Sequence, residues 1–129
     1  MFEYHGWVHV LSTPEAIDPE PPLPLPEIKD AVEKLAGTGL VDLRAINGEL
    51  HLHLGGYADE ADHRPAELLR EIGKLAPGSY GLLYIHDDED TKNDNSFQVF
   101  RLARGWVTEH ADWLLSPIVP ALEDAWDDE

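Results

Sequence analysis

The sequence has 129 residues and 43% hydrophobic side chains, which predicts one globular domain over residues 1–129. Its 26 acidic residues outnumber 9 basic ones, and the formal net charge of -17 argues against nucleic acid and anionic membranes as partners, because both would repel the chain. A basic partner or simple solubility would account for this charge, and the absence of cysteine excludes disulfides and thiolate metal sites.

The first third of the chain predicts a strand, a proline-rich connection and a helix. Residues 2–11 alternate between apolar and other side chains, as in a strand that is covered on one side. Residues 14–26 hold six of the ten prolines, which predicts an extended surface loop that is either a stiff connector or a docking segment for a proline-binding module. An apolar stripe at helical spacing then runs between Pro26, which fits the first helical position, and Gly37, which fits the stop.

The strongest local signal is the β-hairpin centred on Asn47-Gly48. Both residues tolerate φ > 0, which a two-residue type I′ turn requires, and the turn places Ile46 opposite Glu49. The apolar side of the hairpin then pairs Ala45 with Leu50, Leu43 with Leu52 and Val41 with Leu54, and the polar side pairs Arg44 with His51 and Asp42 with His53. Because a lone hairpin is marginal in water, the rest of the chain must cover the apolar side.

The second half of the chain predicts another helix and two more strands. The helix lies between Pro65 and Pro77, and residues 79–86 are apolar on both sides, as in a central strand. The acidic run at residues 87–90 opens a polar loop, and a last strand runs over about residues 97–103, with residues 106–109 as its extension. The tail, residues 109–129, has seven carboxylates and neither lysine nor arginine.

The order β-α-β-β-α-β-β favours an α+β fold with a mostly antiparallel five-stranded sheet. Two amphipathic helices with one apolar stripe each cannot cover much more than one sheet face, so both are expected on the same face. The opposite face is left partly open, and by parity it carries the polar side of the hairpin. These patterns leave the strand order undetermined.

Histidines on the open face are the candidate metal ligands. His51 and His53 lie two residues apart on one strand and point to the same side, and His5 or His9 from a neighbouring strand, with Asp42, would complete a zinc site. The alternative is a polar sheet face on which the histidines pair with Asp42 and Glu49 or stack on Trp7. We expect no catalytic metal and no cofactor, because alternating histidines on an exposed strand are usually surface residues.

Other motifs indicate no catalytic site. The acidic run Asp87-Asp88-Glu89-Asp90 lacks the spacing of a calcium-binding loop, so a solvated loop is expected there. The sequence contains no Gly-x-Ser-x-Gly, no phosphate-binding glycine loop and no His-Glu-x-x-His. No catalytic residue is therefore predicted.

Tryptophans beside carboxylates are the candidates for binding a partner. Core packing is the default for any tryptophan, but Trp113 and Trp126 lie in an acidic tail with little core of its own. Such a tryptophan fits a hot spot for a basic partner. The predicted partner-binding residues are Asp87, Asp88, Glu89, Asp90, Trp113, Asp112, Trp7, His51 and His53.

Short motifs in order along nearly the whole chain resemble the immunity protein 7 family of bacterial polymorphic-toxin systems. They lie at residues 2–7, 42–44, 47–54, 76–84, 87–90, 102–105 and 115–117. The proline-rich stretch at 14–26 and the tail beyond Pro120 depart from the family's pattern. The resemblance implies a small cytosolic α+β protein without catalysis that binds and neutralises a cognate toxin. Such toxins are often nucleases, whose basic clefts an acidic inhibitor can occupy.

Two functions are therefore expected as alternatives. The first is an inhibitory binding protein, and the second is a small metal-dependent enzyme that uses His51, His53 and a further histidine of the open face. The start of the chain lacks the basic and apolar segments of a signal peptide, and no apolar run approaches the ~20 residues of a membrane span. A cytoplasmic location is therefore expected.

Overall fold

The computed structural model describes residues 1–125, and within them the chain forms six strands and three helices. In chain order the elements are β1 (Phe2–Val10), α1 (Leu25–Glu33), β2 (Gly39–Ile46), β3 (Glu49–Ala58), α2 (Arg64–Leu75), β4 (Tyr80–Asp87), β5 (Gln98–Ala103), β6 (Trp106–Ala111) and α3 (Ile118–Ala121). The strands form one sheet in the order β2-β3-β1-β4-β5-β6, and each neighbouring pair is antiparallel. None of the described helices is long and apolar enough to cross a membrane.

The α+β class and the antiparallel sheet are confirmed, but the expected count of five strands is wrong. Residues 106–111 do not extend β5; they reverse and pair with it as β6, with Ala103 opposite Trp106. The reversal occurs at Arg104 (φ 50°) and Gly105 (φ 83°), which repeat the backbone of a type I′ turn. Arginine rarely adopts positive φ, so the sequence gives little sign of this turn. The short helix α3 was also not expected.

The hairpin of β2 and β3 forms as predicted. Asn47 (φ 53°) and Gly48 (φ 81°) make the turn, and all six predicted cross-strand pairs are present. Leu52 and Leu54 of β3 are buried, whereas their partners on β2 are only half-buried. The reason is the position of β2 at the edge of the sheet, where it has a neighbour on one side alone.

Both long helices lie close to their predicted positions. Helix α1 begins at Leu25, so Pro26 is its second residue, and after Glu33 successive tight turns carry the chain to Gly37 (φ 84°). Helix α2 has its proline in the first turn and ends two residues before Pro77. The buried side of each helix is the apolar stripe that the sequence predicts.

The core lies between the two helices and one face of the sheet. Its largest fully buried side chains include Tyr4, Ile28, Leu35, Leu52, Leu69, Ile72, Leu83 and Leu102. Gly73 allows α2 to lie against the turn of β5 and β6, because a Cβ there would come within 2.8 Å of the Leu102 side chain and 3.2 Å of the Gly105 carbonyl oxygen. We call this side of the sheet the covered face and the opposite side, which carries Trp7, Tyr80 and Trp106, the open face.

Candidate partner-binding face

The open face is lined by aromatic and histidine side chains. Successive strand residues point to opposite sides of the sheet, so β1 buries Val8 in the core and exposes Trp7 on the open face. Trp7 is 40% exposed and meets the Tyr80 ring edge to face, with 5.9 Å between the ring centroids. The face thus presents large aromatic surface to solvent.

An apolar pocket lies in the middle of this face. It has a volume of about 400 Å³ and is lined by Trp7, Leu82 and Tyr84, with Leu40 and Leu115 among its other residues. The pocket is open and shallow enough to receive a side chain from another protein. The apolar pattern of residues 79–86 on both sides was the sequence signal for Leu82 and Tyr84, although it did not reveal which face each would line.

The strand order determines which histidines meet. Because β1 lies beside β3, His9 pairs with His51 and Trp7 pairs with His53. The rings of His9 and His51 stack with 4.5 Å between their centroids. His9 also contacts the carboxylate of Glu49 and lies 2.9 Å, through Nδ1, from the Tyr80 hydroxyl oxygen.

The set of possible metal ligands that meet in the structure therefore differs from the set that the sequence suggested. His9, Glu49 and His51 form a cluster whose ligand atoms lie within 4.8 Å of one another. His53 is exposed beside this cluster, and its cross-strand partner Asp42 is hydrogen-bonded to Arg44. The sequence suggested Glu49 as an ion-pair partner of the histidines but not as a metal ligand, although it lies on the same side of β3 as His51.

The acidic loop, residues 87–96, and the segment after β6 meet at one end of the sheet. Asn95 joins them: its side chain accepts a hydrogen bond from the Val119 N–H at 2.8 Å, and its backbone carbonyl accepts one from the Ile118 N–H at 2.9 Å. The Phe97 N–H donates to the Ser116 hydroxyl at 2.9 Å. The fold thus places side by side the two acidic regions that the sequence singled out.

Carboxylates of the acidic loop accept hydrogen bonds from other groups of the chain. Asp88 accepts a hydrogen bond from the N-terminal amino group, which holds the pKa of its carboxyl below the ordinary value. Asp90 accepts hydrogen bonds from the Asn93 side chain and the Lys92 N–H, and these lower its pKa as well. Glu89 is exposed. Asp88 and Asp90 are therefore charged at neutral pH.

Asp112 is buried, unlike the other predicted partner-binding carboxylates. Burial by itself raises the pKa of Asp112, but hydrogen bonds from the Ser116 hydroxyl, from the N–H groups of Leu114 and Leu115 and from Tyr84 bring the pKa below its usual value. The buried charge thus holds residues 112–116 in a fixed turn.

That turn displays Trp113 and Leu114 to solvent. Trp113 is 86% exposed, and Leu114 is exposed to a similar extent. Large apolar side chains on an ordered turn are well suited to bind another protein, because little conformational freedom remains to be lost. Trp126, the other tryptophan of the predicted tail, lies outside the described residues.

Comparison with known families supplies one match. Residues 1–124 match the family model Imm7, described as immunity protein 7. The match includes the proline-rich stretch at residues 14–26 and continues past Pro120, the two regions that we expected to depart from the family's pattern. Neither a curated protein nor a solved structure significantly matches the chain.

Proposed function

The chain belongs to the immunity protein 7 family, and we propose that it binds and neutralises a cognate toxin domain of a polymorphic toxin system in the bacterial cytoplasm. It acts in this proposal as a binding protein and not as an enzyme. The observation that carries the proposal is the family match, which extends over residues 1–124.

The open face is the proposed docking surface. Exposed aromatic side chains such as Trp7 and Tyr80, around a shallow apolar pocket, are the features that distinguish the centres of protein interfaces. His51 and His53 lie on the same face and extend it toward the hairpin turn. A partner seated there would cover the side of the sheet that the helices leave exposed.

The acidic loop supplies the charged rim of this surface. Asp87, Asp88, Glu89 and Asp90 begin a loop whose far end is hydrogen-bonded to the segment that displays Trp113, through Asn95 and Phe97. Charges at the rim of an interface attract an oppositely charged partner and act mainly on the association rate. With the net charge of -17, this arrangement suits a toxin with a basic surface, such as a nuclease cleft.

A kinetic experiment tests the proposal with a matched pair of variants. Asp87, Asp88 and Asp90 are changed together to Asn, and the control changes Glu27→Gln, Asp30→Asn and Glu33→Gln. Both variants lose the same charge, but the control residues are exposed on α1, which packs on the covered face. Association with the toxin domain encoded by the neighbouring gene is measured at low and high salt.

We expect the first variant to associate at least ~10-fold more slowly at low salt, and the control to change little. The difference should shrink at high salt because exposed charges are screened beyond ~10 Å. Equal association rates for both variants and the unaltered chain would mean that the acidic loop serves solubility. Failure of the chain to bind the toxin domain, or to protect cells that express it, would overturn the proposed function.

A further inference from the structure

The cluster of His9, Glu49 and His51 points to a binding site for a divalent transition metal, and we propose that it binds Zn²⁺. The proposal concerns the free chain and does not depend on the binding of a toxin. It also differs from the arrangement suggested by sequence, because Glu49 takes the place of His53 and Asp42 beside His9 and His51.

Backbone pairing fixes the positions of the three side chains. His9 and His51 are opposite each other on β1 and β3, and Glu49 precedes His51 by two residues on the same side of its strand. One nitrogen or oxygen atom from each lies within 4.8 Å of the others. Two imidazoles and one carboxylate are a common donor set for zinc, which leaves the fourth position of its tetrahedron to water.

A neighbouring hydroxyl can orient the His9 ring for binding a metal. Its Nδ1 lies 2.9 Å from the Tyr80 hydroxyl oxygen, and when Nδ1–H donates to that oxygen the lone pair of the ring is on Nε2. A histidine that binds a metal usually makes such a bond through its other nitrogen. Tyr80 is therefore the partner that orients the ligand.

The Nε2 atom of His9 lies against a carboxylate. Nε2 is buried in contact with Glu49, although no hydrogen bond of regular geometry is present at Nε2 within residues 1–125. An imidazole nitrogen and a carboxylate oxygen side by side are two ligand atoms for one cation. A cation that displaced the Glu49 carboxylate from this contact would interact favourably with both groups.

Coordination requires movement of two side chains only. The His9 and His51 rings are stacked at 21° to each other, whereas ligands of a tetrahedral zinc ion lie about 3.3 Å apart around a common centre. His51 is half-buried and the Glu49 side chain is 54% exposed, so both can rotate while the Tyr80 hydroxyl holds His9.

The test is a titration of the untagged protein with Zn²⁺, followed by calorimetry, and with Co²⁺, whose visible absorption reports tetrahedral coordination. His51→Ala removes one ligand, and His53→Ala, two residues along the same strand, is the matched control. Tyr80→Phe removes only the hydroxyl that orients His9. Thermal unfolding without metal checks that each variant is folded.

We expect one equivalent of Zn²⁺ to bind, with affinity reduced at least ~10-fold in His51→Ala and ~10–100-fold in Tyr80→Phe. His53→Ala should bind as the unaltered chain does, and Co²⁺ should give the absorption of a tetrahedral complex. The proposal is overturned if no saturable binding occurs at micromolar Zn²⁺, which would leave an ion pair of His9 with Glu49. It is also overturned if His53→Ala weakens binding as much as His51→Ala does.

Discussion

The covered face and the open face belong to the same strands but have different surroundings. On β1, Val8 is 1% exposed among the core residues while the adjacent Trp7 is 40% exposed. On β3, Leu52 is fully buried and the next residue, His53, is exposed. Neighbouring positions therefore have separate roles, and stability can be changed on one face without disturbing the proposed binding surface on the other.

The largest effect is expected at Leu52, in the centre of the covered face. Leu52→Ala should lower the free energy of unfolding by ~2–5 kcal/mol, because it removes buried methyl groups and leaves a cavity. The adjacent change His53→Ala should stay within ~0.5 kcal/mol, as surface changes usually do. Urea unfolding with unchanged m-values measures both free energies.

The edge strand β2 provides a case in which the expected loss of stability is intermediate. Leu43 faces Leu52 across the hairpin but is only half-buried on β2, so Leu43→Ala should cost less than Leu52→Ala. If Leu52→Ala changed stability no more than His53→Ala does, the contrast between the two faces would be lost.

An intermediate effect is expected at Asp112, the buried carboxylate behind Trp113. Asp112→Ala should cost roughly 1–3 kcal/mol, because it leaves the N–H groups of Leu114 and Leu115 and the Ser116 hydroxyl without their acceptor. Ser116→Ala, which removes one of these hydrogen bonds, should cost less. Urea unfolding of the two variants at pH 7 gives the comparison.

The same carboxylate gives the protein a pH dependence on the acid side. Its folded pKa lies below the ordinary value, so the unfolded chain binds a proton first as the pH falls. The stabilising contribution is thus complete above the unfolded pKa of about 4 and is lost as the pH falls through the folded pKa. In Asp112→Asn the loss of stability below pH 4 should be smaller, and a steeper loss would contradict the assigned hydrogen bonds.

The smallest effect on stability is expected at Trp113, and it is paired with a large effect on binding. Trp113→Ala should change the free energy of unfolding by no more than ~0.5 kcal/mol, because the side chain is 86% exposed. If Trp113 anchors the toxin, its loss should raise the dissociation rate. Leu25→Ala is the control, since Leu25 is also an exposed apolar residue but lies on α1, which packs on the covered face. Equal dissociation rates for both variants would remove Trp113 from the proposed interface.

Local signals were enough to predict the hairpin and the two long helices. Asn47-Gly48 permits few backbone conformations, and with alternating side chains it determined every pair between β2 and β3. Proline near the start of α1 and α2, together with an apolar stripe, marked both helices. These elements depend on residues close to one another in the chain, so the sequence alone determined them.

Contacts between distant residues decided the rest. His9 meets His51 only because β1 pairs with β3. The sixth strand follows a turn in which Arg104 has positive φ and Gly105 packs against Gly73 of α2. The hydrogen bonds to Asp112 likewise come from Tyr84 on β4 and from a turn that closes after β6. Alternation along a strand tells which residues share a side, but the neighbours of that strand are chosen by the tertiary structure, because strand order depends on packing across the whole chain.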